Sequence, residues 1–193
     1  MKKYLRLAVL LALVSCGGGE NRAPRDLDNA CAILEERPHY YDAMRRAEGR
    51  WGVPMHVMMA TIYQESKFIG NAKTPRRFAL GFIPTGRQSS ARGYSQALDG
   101  TWDDYRDATG NHGARRNNFD DAVDFMGWYM NRASAQLGLS SYDAENLYLA
   151  YHEGLAGFGR GSHNQKGWLL RVAADVGERS ETYQNQLIAC GRL

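Results

Sequence analysis

The sequence predicts a mainly α-helical domain, on three observations. Apolar residues recur at helical spacing in several segments, helix-ending signals stand at their edges, and the one strand-like stretch is short. With 44% hydrophobic and 23% charged residues, the 193-residue chain is long enough for one domain with a real core after a targeting segment is set aside.

Met55, Met58, Met59 and Ile62 fall at i, i+3, i+4 and i+7 behind Pro54, a residue suited to a first turn, which predicts a core helix over about 54–66. Phe119, Val123, Met126, Gly127 and Met130 repeat that period. Asp120 and Asp121 stand in the first turn, where the helix dipole favours carboxylates, and the helix is expected to end near Leu137-Gly138. A third helix should run from Asp143 as N-cap through Leu147, Ala150 and Tyr151 to Gly154. Shorter helices are expected over about 29–36, 39–50, 101–108, 165–176 and 180–189. Between Lys67 and Gly100 the pattern breaks into Pro75, Gly81, Pro84, Gly86 and Gly93 amid arginine and serine. That stretch is too long for a mere connection and is expected to be functional, with room for a small β-hairpin around Phe78 to Ile83.

The first 15 residues have a different character. Lys2, Lys3 and Arg6 precede an apolar run from Leu7 to Val14, too short to span a membrane and shaped like a signal peptide. The run ends in Leu13-Val14-Ser15-Cys16, which resembles the lipobox of bacterial lipoproteins and implies that Cys16 is acylated; a plain secretory signal is the alternative. By that resemblance, Gly17 rather than an aspartate after the cysteine implies sorting to the inner leaflet of the outer membrane, facing the periplasm. Residues 16–28 are glycine-rich and polar and read as a flexible tether, with the folded domain over 29–193. Removal of the leader takes three basic residues and no acidic one, cancelling the net charge of +3, so the basic excess is no argument for nucleic acid. Of the remaining cysteines, Cys31 and Cys190 lie near the two ends of the domain. An oxidising compartment would let them pair, the alternative being two separate buried thiols.

The predicted core helix ends in Thr61-Ile62-Tyr63-Gln64-Glu65-Ser66. Burial and the negative end of the helix dipole would both raise the pKa of Glu65, so that it could still carry a proton near neutral pH. Such a proton is what glycosidic cleavage requires, because the leaving oxygen must be protonated as an oxocarbenium-like transition state develops. Taken alone, a glutamate at a helix C-terminus is more often a solvated surface group.

Two downstream segments give it context: Gly93-Tyr94-Ser95-Gln96-Ala97-Leu98-Asp99-Gly100-Thr101 and Ala150-Tyr151-His152-Glu153-Gly154. In order and character, these and Glu65-Ser66 resemble the soluble lytic transglycosylase (SLT) family. Its pattern is Glu-Ser, then Gly-Leu-Met-Gln continuing to Pro-Gly-Thr, then Ala-Tyr-Asn. Glu65, Ser66, Gly93, Gln96, Gly100, Thr101, Ala150 and Tyr151 match; Tyr94-Ser95, Asp99 and His152 depart from it. Residues 148–158, Tyr-Leu-Ala-Tyr-His-Glu-Gly-Leu-Ala-Gly-Phe, look like a lipoprotein branch with its own third motif.

The resemblance implies a lysozyme-like (goose-type/SLT) helical domain that cleaves peptidoglycan between N-acetylmuramic acid and N-acetylglucosamine without water, giving 1,6-anhydro ends. It implies Glu65 as the single acid and base, Tyr151 as the hydroxyl that orients its carboxyl, and Ser66, Gln96, Leu98 and Thr101 as groove residues, with His152 and Glu153 beside them. Most glycosidases instead use two carboxylates, about 5–5.5 Å apart when retaining and about 6.5–9.5 Å when inverting. A hydrolytic goose-type muramidase, with Glu153, Asp99 or Asp103 positioning a water, is one alternative, and a non-catalytic peptidoglycan-binding lipoprotein is another. Arg76, Arg77, Arg87 and Arg92 are candidates for contacting substrate carboxylates. None of the five histidines has metal-ligand spacing, so no metal and no cofactor is expected, and the partners expected are glycan strands and lipid around a monomer.

Overall fold

The computed structural model describes residues 21–80 and 83–193. The leader, Cys16 and the first part of the tether lie outside the described residues. Eight helices are described, α1 (Ala30–Glu36), α2 (Pro38–Trp51), α3 (Met55–Ser66), α4 (Asp99–Thr109), α5 (Phe119–Leu137), α6 (Ala144–Glu153), α7 (Leu155–Gly159) and α8 (Gly167–Ala189). A two-stranded antiparallel hairpin, β1 (Arg76–Ala79) and β2 (Ile83–Arg87), stands between α3 and α4.

Helix α3 is the axis of the fold. Every residue from Met55 to Ile62 is buried, so the apolar stripe read from the spacing is in fact buried all round, and α3 packs against α2, α5, α6 and α8. Complete burial of each methionine contributes on the order of 1.5–3 kcal/mol. The buried polar residues find local partners: the Thr61 hydroxyl donates to the Val57 carbonyl at 3.0 Å, and His56 Nδ1 lies 2.8 Å from Ser180 Oγ of α8.

Residues 165–189 were expected as two helices, yet α8 runs unbroken. The stretch Gly177-Glu178-Arg179-Ser180 looks like a break in the sequence. In the structure Leu169, Ala173, Val176, Ser180, Tyr183 and Leu187 form one continuous buried stripe in which Ser180 is satisfied by His56. The short α7 and the 3₁₀ turn Ser162–Gln165 were not anticipated either. At the other end, residues 25–28 are held rather than loose. Gln186 donates to the Asp28 carbonyl at 2.9 Å, Tyr183 donates to the Leu27 carbonyl, and Arg179 pairs with Asp28 at 2.9 Å. The chain therefore becomes fixed before Asn29, because side chains more than 150 residues away satisfy its backbone. Cys31 and Cys190 are bonded, tying α1 to the end of α8.

A second, aromatic cluster of Trp102, Tyr105, Phe125, Trp128 and Tyr129 joins α4 to α5, and Tyr151 and Leu155 touch both it and the main core. One carboxylate fixes this join. Asp124 of α5 accepts from Trp51 Nε1 at 2.8 Å, from the Tyr105 hydroxyl at 2.7 Å and from Arg50 at 3.0 Å, tying α2, α4 and α5 together. Asp124→Ala would leave the Trp51 and Tyr105 donors without this acceptor, and we predict a loss of about 2–4 kcal/mol in urea denaturation, well above the cost of replacing a surface ion pair. A loss under about 0.5 kcal/mol would contradict this role.

Candidate functional site

The end of α3 delivers Glu65 to a cleft of about 400 Å³ where the main core meets the aromatic cluster. Its lining joins Glu65 to Gln96, Leu98 and Thr101, to Phe125 and Tyr129 of α5, and to Tyr151, His152 and Glu153 of α6. Three segments far apart in sequence, at 65, 96–101 and 151–153, therefore meet in one place.

The helix is stopped abruptly beyond the carboxylate. Lys67 (φ 52°) and Phe68 (φ 59°) are both left-handed without being glycine, as is Gln96 (φ 48°) on the facing loop. Such residues cost of order 1–3 kcal/mol each and persist where the surroundings over-determine them. Here Phe68 is fully buried and stacks with Tyr40 and Phe119, which fixes the point at which α3 ends.

Burial raises the Glu65 pKa to about 7, and a hydrogen bond with the Tyr148 hydroxyl and the charge of Lys67 pull the other way. The Tyr151 hydroxyl, expected to orient Glu65, instead donates to the Ser95 carbonyl at 2.6 Å and so ties α6 to the loop that carries Gln96. A phenol has one proton to give, so Tyr151 is a neighbour of Glu65, and the phenol that acts to lower the Glu65 pKa is that of Tyr148. Tyr148 was missed by sequence reasoning. It lies three residues before Tyr151, on the same face of α6, which was the only signal available.

The other expected groove residues divide. Leu98, at the N-cap of α4 and half exposed, and Thr101 in its first turn line the cleft. Gln96 lines it too, but its amide donates to the Gly93 carbonyl at 2.7 Å and the Ala72 carbonyl at 3.2 Å, so its NH₂ group braces the loop. Ser66 is buried, donates to the Ile62 carbonyl at 3.3 Å and is absent from the lining, because its position on α3 turns it into the core. Gly93 has a reason to be glycine. Its φ is 79°, and a Cβ there would lie 2.1 Å from the Arg116 carbonyl oxygen.

Glu153 is the second carboxylate of the cleft and the opposite of Glu65 in character. Its side chain is 4% exposed. Lys166 Nζ lies 2.7 and 2.9 Å from its two oxygens, the Ser162 hydroxyl donates to Oε2, and His152 Nδ1 lies 3.1 Å from Oε1. The Lys166 hydrogen bond, followed by that of Ser162, holds its pKa down to about 2. All four lone-pair sites are thereby used inside the protein. Asp99 pairs with Arg116 at 2.7 Å and Asp103 with Arg106 at 3.3 Å; neither lines the cleft. Among the described residues, no group of three or more His, Cys, Asp and Glu could hold a metal ion.

A pKa raised from 4.5 to about 7 means that the folded protein keeps a proton that the unfolded chain releases between those values, so stability falls as pH rises through that window. We predict that Glu65→Gln, which has no proton to lose, is more stable than the wild type at pH 8 by about 1–3 kcal/mol and nearly equal to it at pH 4.5. Denaturant curves at the two pH values check this; an identical gap at both would contradict a desolvated, raised carboxyl.

A family model described as the transglycosylase SLT domain matches residues 4–190. No curated protein sequence matches the chain significantly. The match spans nearly the whole chain, and with the mainly helical architecture and three motif segments gathered in one cleft, the chain belongs to the transglycosylase SLT domain family, lysozyme-like enzymes that act on peptidoglycan.

Proposed function

We propose that this protein is a lytic transglycosylase in which Glu65 serves first as acid and then as base. The observation that carries the reading is the contrast between two cleft carboxyls: Glu65 is raised by burial to a pKa of about 7, whereas Glu153 is ionised with every acceptor site taken. A hydrolase of the two-carboxylate kind needs a second carboxylate free to orient a water. Glu153 has no such capacity, and Asp99 and Asp103 lie outside the cleft and are paired to arginines.

In the proposed reaction Glu65 gives its proton to the oxygen linking C1 of N-acetylmuramic acid to N-acetylglucosamine, and that C–O bond breaks. The carboxylate so formed takes the proton from the muramic C6 hydroxyl as that oxygen bonds to C1, closing the 1,6-anhydro ring and returning Glu65 to its acid form. The nucleophile belongs to the substrate, so its effective molarity is high and no water has to be bound. A pKa near 7 suits both halves of the cycle, since a group poised there gives and regains a proton at similar cost. Phe125, Tyr129 and Tyr151 supply apolar lining that keeps the carboxyl poorly solvated, and the Tyr148 hydroxyl moderates the rise of its pKa. Acylation of Cys16 would place this chemistry in the periplasm at the inner leaflet of the outer membrane.

Purified cell wall digested with the protein should release muropeptides lighter by one water than the hydrolytic products. Glu65→Gln should lower the rate about 10²–10⁴-fold, as expected for loss of a general acid, while still binding the wall. Reducing ends in place of anhydro ends would refute the transglycosylase reading, and undiminished release by Glu65→Gln would refute the assignment of the acid.

A further inference from the structure

A second cavity, of about 610 Å³, lies against the catalytic cleft and shares a wall with it. The wall is formed by three chain segments in which neighbouring residues face opposite ways. Thr74, Ala91 and Leu98 line the cleft, and the adjoining Lys73, Arg92 and Asp99 line the second cavity. Lys73 and Arg92 are themselves bridged across the wall through antiparallel backbone pairing.

The second cavity is strongly basic. Arg106, Arg115 and Arg116 join Lys73 and Arg92 in its lining, against two carboxylates, Asp99 and Asp103. Both carboxylates are already engaged, with Arg116 and Arg106 respectively. The side chains of Lys73, Arg92 and Arg115 have no ion pair or hydrogen bond among the described residues, so this charge is left for something else to neutralise. Arg116 provides a rigid floor. Its side chain is 5% exposed, it lies 5.5 Å over the Trp102 ring, and Asp99 and the Ser90 carbonyl hold one of its nitrogens while its Nε has no partner.

From this geometry we infer that the basic cavity is a binding site for the carboxylate-bearing stem peptide of the glycan strand lying in the cleft. The identity of the ligand rests on the proposed function, since the peptide hangs from the muramic lactyl group and must leave the cleft beside the scissile bond. The cavity has the size of a site for a small ligand, and three uncompensated cations match a peptide whose side chains and terminus carry carboxylates. Of the arginines singled out in the sequence between Lys67 and Gly100, Arg92 belongs to it, whereas Arg76 and Arg87 are not in its lining.

Two measurements test the site. Titration calorimetry of the whole protein with a free stem tetrapeptide should give binding that weakens about tenfold in Lys73→Ala/Arg92→Ala, the scale of two partly exposed charge contacts, and comparably when the peptide carboxylates are amidated. In turnover, the same double variant should lose about tenfold more kcat/KM, chiefly through KM, on peptide-bearing strands than on strands stripped of peptide. Absence of peptide binding, equal affinity for the amidated peptide or the double variant, or an equal loss on both kinds of strand would overturn the proposal. Binding of inorganic phosphate as tight as that of the peptide would overturn it too. The titration requires no turnover, so its outcome stands whether or not Glu65 is the acid.

Discussion

Helix α3 has no solvent-facing side for most of its length, and its last turn carries a carboxyl group, that of Glu65. Helix α3, buried from Met55 to Ile62 and stopped by the left-handed pair Lys67 and Phe68, delivers Glu65 to the partly apolar cleft rather than to an open helix face. Desolvation therefore acts on the carboxyl continuously, and the neighbouring groups only adjust it. Tyr148 and Lys67 moderate the rise, and the aromatic side chains of α5 and α6 keep water scarce. The remainder of the fold serves this placement: α8 and α2 clamp α3, and Asp124 holds α4 and α5 together as the facing wall.

The two cleft glutamates illustrate how environment assigns different properties to one residue type. Glu153 is almost as shielded from solvent as a side chain can be, yet it is deeply ionised because a lysine, a serine and a histidine converge on it. Glu65 is raised because, apart from the Tyr148 hydroxyl and the charge of Lys67, its environment offers little to hold a charge. The pKa values of the pair are thus driven apart, which is the pattern that separates a proton donor from a structural anion. Glu153 accordingly binds α6 to the 3₁₀ turn and to the start of α8, and in doing so it fixes the floor of the cleft.

Much of this was legible in the sequence because helical periodicity is local. The spacing from Met55 to Ile62 located α3, and Gly138 and Asp143 marked helix ends where the structure has them. The order of the Glu-Ser, Gly-x-x-Gln and Ala-Tyr segments pointed to one cleft. What was not legible depended on contacts across the chain. Where the Tyr151 hydroxyl proton goes is decided by the position of the Ser95 carbonyl, which captures it. Ser66 stands next to Glu65 in sequence, but on a helix adjacent residues point about 100° apart, and this one turns into the core. The break read at Gly177 closes because His56, 124 residues from Ser180, satisfies that serine. The basic cavity was visible only as scattered arginines, since its lining comes from four separate stretches between Gly70 and Asn117.

Desolvation raises the Glu65 carboxyl to a pKa of about 7, and Tyr148 restrains the shift. Titration of that carboxyl by ¹³C NMR, in the wild type and in Tyr148→Phe, measures both effects. The wild-type midpoint should lie near 7 and move upward in Tyr148→Phe, because a hydroxyl that favours the charged form is removed. A wild-type midpoint at the ordinary carboxylate value of about 4.5, or a downward shift in Tyr148→Phe, would contradict it.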